Sequence, residues 1–173
     1  MKTKDNFIIT IFIMTFALSI VFSSVSNVIA VSFNEVVLFI IMLLVIAIGI
    51  LFDAIGTAGI TAKEATFHSM SSAKVKGAKE TLTLLKNANR ISSICNDVVG
   101  DVCGIVSGGL GAVLAISLST TFSINNTLIS VILSAFISSL TVGGKAIVKQ
   151  IAMKRADSII FTVGKLKHLL RIK

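Results

Sequence analysis

The 173-residue chain contains no proline, no tryptophan and no tyrosine, and only two cysteines and eight acidic residues. The lack of proline excludes proline-rich linkers and polyproline recognition segments. Cys95 and Cys103 are eight apart, a separation of about 12 Å on a helix, which is beyond the reach of a disulfide, so no disulfide framework is expected. His68 and His168 are single and have no partners at ligand spacing, and neither is assigned a role. A Walker loop, a dinucleotide fingerprint and a Ser-His-Asp or Cys-His arrangement are all missing, and no enzyme is expected. Charged residues make up only 14 % of the chain. The net charge of +8, in a chain without Trp or Tyr, is read as membrane topology and not as a nucleic-acid surface.

Apolar chain is abundant. Hydrophobic residues account for 54 % of the sequence and the mean hydropathy is +0.97. The runs from Phe7 to Val31 and from Val102 to Gly144 carry no charge, and each exceeds the ~18 to 20 apolar residues that cross a hydrocarbon core. The expected fold is all-α, a polytopic helical membrane protein with about four transmembrane helices, near Phe7 to Val31, Val36 to Ala62, Ile91 to Leu118 and Leu128 to Gly144. Lys2 and Lys4 precede the first span, six bases lie from Lys63 to Arg90, and eight lie from Lys145 to Lys173. The turns Ser32 to Glu35 and Ser119 to Thr127 have none. This one-sided distribution places both termini and the Lys63 to Arg90 loop in the cytoplasm of a plasma (inner) membrane protein. The first span ends in Val28-Ile29-Ala30, which also suits a signal cleavage site, although the apolar run is long enough to remain as an anchor.

Between spans two and three, Val75, Ala78, Leu82 and Leu85 recur at helical spacing among Lys74, Lys76, Lys79 and Lys86, predicting an amphipathic cytoplasmic helix. In the tail, Ile159, Val163, Leu166 and Leu170 form an apolar stripe beside Lys165, Lys167, Arg171 and Lys173. Both segments suit a membrane surface and anionic headgroups.

Asp53, Asp97 and Asp101 fall inside predicted spans, where an ionised carboxylate costs at least ~2.5 to 3.5 kcal/mol. Counted from Arg90, Asp97 lies about 10 Å and Asp101 about 16 Å deep, and Asp53 lies about 15 Å from Lys63. Asp97 and Asp101 share a helix face, with the Asn96 amide beside them. No Lys or Arg lies within these spans, so an internal salt bridge is not expected. Protonation or a bound cation remains, and hard oxygen ligands favour Mg²⁺, another hard divalent ion, or Na⁺. Gly56-Thr57-Ala58-Gly59 is able to loosen the second span just after Asp53 and bring Thr57 to the same site. Gly100, Gly104 and Gly108 allow another helix to approach the third span closely.

The order Gly77-Ala78-Lys79, Leu82, Leu84-Leu85, Asn87 and Arg90, leading into a span, resembles the connector of the CorB/CorC/CNNM transmembrane domain. Phe52, Thr57 and Ala58 match that family's Phe-Ser-Gly-Ser-Glu-Thr-Ala stretch, with Asp53 at a serine associated with its magnesium site and Gly56 at its glutamate. Gly144, Lys149 and Ala152 match Gly-Glu-x-x-Pro-Lys-x-x-Ala, with Lys145 and Val148 at the glutamate and proline. Asn96-Asp97 stands about three positions before the family's Gly-Asn-Asn. The resemblance implies a homodimeric, magnesium- or cobalt-handling membrane domain without the family's CBS pair.

The organisation expected is an N-terminal transmembrane segment (1–35), a CorC/CNNM-like domain (36–155) and a basic amphipathic tail (156–173). The function expected is a divalent-cation transporter or exporter, with Asp53, Thr57, Asn96, Asp97 and Asp101 around the ion. A non-transporting scaffold or partner-binding subunit, or a holin-like pore, is the alternative.

Overall fold

A computed structural model of the chain describes residues 2–170; within the first helix the side chains of several residues, Lys2, Lys4, Phe7 and Val31 among them, fall outside the description. Arg171 and Lys173, expected to meet headgroups, also lie outside the described residues. Helices α1 (Lys2–Ser32), α2 (Glu35–Thr61), α3 (Glu64–Ser72), α4 (Ala78–Lys86), α5 (Ala88–Ser93), α6 (Gly100–Phe122), α7 (Asn126–Lys154) and α8 (Ala156–Leu169) follow in order, with a π-helical segment, Ile94–Val99, between α5 and α6. No strand occurs among the described residues.

Three helices are long and apolar enough to cross a membrane: α2, the continuous run Ala88–Phe122, and α7. The described apolar stretch of α1 is shorter, Thr15–Ser26. Polar caps mark where these helices begin. Asn34 Oδ1 accepts the Val37 N–H at 3.1 Å, and Asn125 Oδ1 accepts the Thr127 N–H at 2.9 Å, each satisfying a donor that the first turn leaves without a helical partner. The last span differs from expectation, since α7 does not stop at Gly144 but continues to Lys154.

The chain forms two compact units. One comprises Met1–Gly49 and Asp101–Val142. Its interior holds Leu38, Met42 and Ile46 of α2 with Val106, Leu110 and Leu114 of α6, recurring every four residues on each helix. Phe39 stacks on Phe136 at 6.2 Å between ring centroids. At the start of α2 the Glu35 carboxylate accepts hydrogen bonds from Ser117 Oγ (2.7 Å) and Thr121 Oγ1 (2.8 Å), joining α2 to α6.

The other unit comprises Ile50–Gly100 and Gly143–Lys173. Here α2, α7 and α8 meet through small residues: Ala54 and Ala58 are buried with Ala152 and Ala156. Such residues let helix backbones approach closely where apolar burial alone gives little preference for protein over lipid. A second cluster joins Phe67, Leu82 and Ile160, one each from α3, α4 and α8.

Two surface segments depart from the predicted helices. Val75 is not helical; it is exposed in a turn between α3 and α4, where Lys74 (φ 54°) and Gly77 (φ 90°) adopt left-handed backbone. Glycine tolerates that geometry at Gly77 without a steric penalty, so the helix expected from Val75 begins only at Ala78 and keeps Leu82 and Leu85. The tail helix α8 buries Ala156, Ile160 and Gly164, a face adjacent to the predicted stripe. Leu166 and Leu170 are exposed. Gly164 packs so closely on α4 that a β-carbon there would overlap Thr81 Oγ1 and lie 2.9 Å from the Gly77 carbonyl. His168 Nδ1 reaches Glu80 Oε1 at 2.8 Å, and Lys165 Nζ sits 4.5 Å from the centre of the Phe161 ring.

Two outcomes follow from this docking. Thr81 is fully buried and its hydroxyl donates to the Gly77 carbonyl at 2.8 Å, so it has no room to move aside. Gly164→Ala is expected to cost about 1–3 kcal/mol through overpacking, read as faster protease cleavage of the tail, and an unchanged cleavage rate would refute the contact. The second outcome concerns pH. The hydrogen bond with His168 holds the Glu80 carboxyl below its ordinary value. A group depressed on folding stabilises the fold above its unfolded value and loses that contribution as pH falls through the lower folded one. The difference in tail protection between wild type and Glu80→Gln should therefore be present at neutral pH and close below the ordinary carboxylate range. A difference that stays constant into acid contradicts this assignment.

Candidate functional site

Asp53 and Thr57 sit one helical turn apart on α2, with Asp53 half-buried and Thr57 buried. Gly56 is buried between them and faces Asn96 of the π-helical segment. A β-carbon at Gly56 would overlap Asn96 Oδ1, so glycine is what allows the amide to lie against α2. The Asn96 Nδ2 donates to Ser92 Oγ at 3.2 Å, whereas Oδ1 is buried without a hydrogen-bond partner. An unsatisfied buried oxygen costs roughly 1–3 kcal/mol, so it marks a place where the chain tolerates a local penalty.

The π-helical segment brings the amide there. At its end the Gly100 N–H bonds the Cys95 carbonyl, five residues back, which widens the turn carrying Asn96 and Asp97. Segments of this kind inside α-helices recur at functional sites.

The structure divides the five residues expected around one ion. Asn96 comes against Gly56 of α2, which follows Asp53 by three residues and precedes Thr57 by one. Asp97 belongs to the same unit but is exposed, and its Oδ2 accepts a hydrogen bond from Ser93 Oγ at 2.7 Å. Asp101 is exposed and belongs to the other unit. Among the described residues, no three His, Cys, Asp or Glu side chains gather where they would hold a metal ion. The expected cage of three carboxylates is therefore not formed. Its acids are spread over two helices, and two of the three are already exposed on the helix carrying the π-helical segment.

Three participants escaped the sequence reading. Ser92 and Ser93 each stand four residues before the group they bond, a spacing that was legible once Asn96 and Asp97 had been singled out. Lys145 had been set beyond the last span. Because α7 continues, its ammonium lies beside Gly100, 3.3 Å from where a β-carbon would stand. A positive charge is thus held three residues from Asp97, although among the described residues no carboxylate is within ion-pair distance of it.

What remains is the Asn96 amide oxygen enclosed against Gly56, on the stretch of α2 that also carries Asp53 and Thr57. An amide oxygen is a hard donor, matching Mg²⁺ or Na⁺ better than a thiophilic metal. The orphaned oxygen also predicts a stability pattern. Asn96→Leu, of similar size, is expected to leave thermal stability equal to or above wild type, since it removes a buried acceptor that has no donor. Gly56→Ala is expected to lower it by about 1–3 kcal/mol, because the added carbon displaces the amide. Thermal unfolding in detergent checks both, and the opposite order would contradict the geometry. Comparison with protein-family models, with curated proteins and with solved structures found no match.

Proposed function

We propose that the protein is a CorB/CorC-type transporter or exporter of divalent cations, Mg²⁺ foremost and Co²⁺ next, embedded in the plasma (inner) membrane. In this reading α1 supplies a fourth span, both termini are cytoplasmic, α4 and α8 lie along an anionic membrane surface, and the protein works as a homodimer. The cation is the cargo. It is received by Asn96 Oδ1, with the Asp53 carboxylate and the Thr57 hydroxyl from α2, and Asp97 and Asp101 attract it electrostatically from further along the helix.

The observation that carries the reading is the buried, partnerless Asn96 Oδ1 lying on Gly56 of α2. An acceptor held free of donors in an apolar interior is prepared for a cation, which needs lone pairs and no hydrogens. The connector and span residues that resemble the CorB/CorC family support the same class of cargo.

Mg²⁺ flux into proteoliposomes tests it. The wild type should move Mg²⁺, and Asn96→Leu and Asp53→Asn should each reduce the initial rate by about tenfold or more, the effect of losing a ligand from a site with few of them. Equal flux in all three would remove the proposal and favour the scaffold reading, which tolerates these substitutions. A holin-like pore would instead pass ions without regard to either residue and depolarise cells on expression.

A further inference from the structure

Three basic residues line one cavity where α2 and α7 end. Lys63 follows α2, Lys154 closes α7, and Arg155 precedes α8; together with the hydroxyl-bearing Thr61 and Ser158 they line a cavity of about 370 Å³. None of the three has a carboxylate within ion-pair distance among the described residues. The one acid at the cavity, Asp157, is engaged elsewhere: its Oδ1 accepts the Lys63 backbone N–H at 2.9 Å and its Oδ2 the Thr66 hydroxyl at 3.4 Å. The cavity therefore keeps an excess of positive charge, with a guanidinium able to take two oxygens of one phosphate.

Its depth selects the ligand. The 27 residues of α2 make a helix about 40 Å long, close to the ~40–45 Å of a bilayer with its headgroups, so a bilayer-crossing α2 sets Thr61 and Lys63 at headgroup level. Met153 of the lining is also exposed, giving an apolar edge beside the charged one. A phosphate flanked by acyl chain satisfies both edges, whereas a free anion uses only the first.

We infer that this cavity is a binding site for the phosphodiester headgroup of an anionic phospholipid, held by Lys63, Lys154 and Arg155 at the junction of α2, α7 and α8. The site is separate from the one assigned to the cation and does not depend on transport. Because α3 and α8 both start at its wall, an occupied site braces the α3–α4–α8 cluster against the ends of the long helices.

Native mass spectrometry of the full chain, released from micelles holding equal phosphatidylglycerol and phosphatidylcholine, tests the assignment. The wild type should retain phosphatidylglycerol preferentially, and Lys63→Gln, Lys154→Gln and Arg155→Gln should each lower that preference by about fivefold. A control with Lys74, Lys76 and Lys79 changed to Gln should keep it. Asp157→Asn preserves an acceptor for the Lys63 N–H while removing the opposing charge, and should raise the preference, an outcome that misfolding does not produce. Unchanged preference in the first three variants, or equal loss in the control, overturns the site. Displacement of the lipid by millimolar glycerol 3-phosphate or inorganic phosphate overturns the choice of a lipid over a free anion.

Discussion

Lipid tails are as apolar as leucine, so helices inside a bilayer gain little from burying leucine and must gain instead from close contact. Within each unit of this chain the closest backbone approaches occur where a side chain is small or missing, beside interiors filled by larger residues such as Leu38, Met42, Leu110 and Phe67. Ala54 and Ala58 meet Ala152, and Gly111 admits the tip of Ile137. Gly164 rests on Thr81 in the same way outside the long helices. Large apolar residues remain outside: Phe12, Ile132 and Val142 are each about two-thirds exposed or more. In water such a surface would aggregate, and in a membrane it is the solvated surface.

The same constraint shapes the candidate site. Gly56 brings α2 near enough to the π-helical segment for the Asn96 amide to be enclosed, and that enclosure deprives Oδ1 of any donor. A larger residue at Gly56 would hold the helices apart and let water or another group satisfy the oxygen. Close packing and a vacant acceptor are thus one feature seen from two sides. The π-helical segment contributes by offsetting Asn96 and Asp97 from the positions they would take on a regular helix.

Much of the helical layout was legible because long uncharged runs identify themselves. The predicted second span, Val36 to Ala62, differs from α2 by one residue at each end. The tail shows a face that periodicity does not single out. Beside the apolar stripe Ile159, Val163, Leu166 and Leu170, the helix buries Ala156, Ile160 and Gly164 against its own unit. A glycine and an alanine carry little hydrophobic weight in a periodic pattern, yet Gly164 is where α8 comes nearest to α4. The pairing of Gly56 with Asn96 was beyond reach for a related reason: each residue was noticed separately, but their contact depends on which helices are neighbours. The place of Lys145 is likewise not legible from charge alone, since a long flexible side chain on a continuing helix carries its ammonium beside Gly100.

The positions of the acids complete the physical picture. Asp97 and Asp101 are exposed and four apart along a helix apolar enough to cross a membrane. Ionised carboxylates are not stable against hydrocarbon, and the Ser93 hydroxyl offsets only part of the cost for Asp97. Against lipid such a face is stable only with the acids neutral or holding a cation; ionised and empty, it has to meet water or another polypeptide. Ile94, three residues before Asp97, and Ile105, four after Asp101, are exposed on that same face, so the acids stand among apolar side chains and not on a purely polar strip.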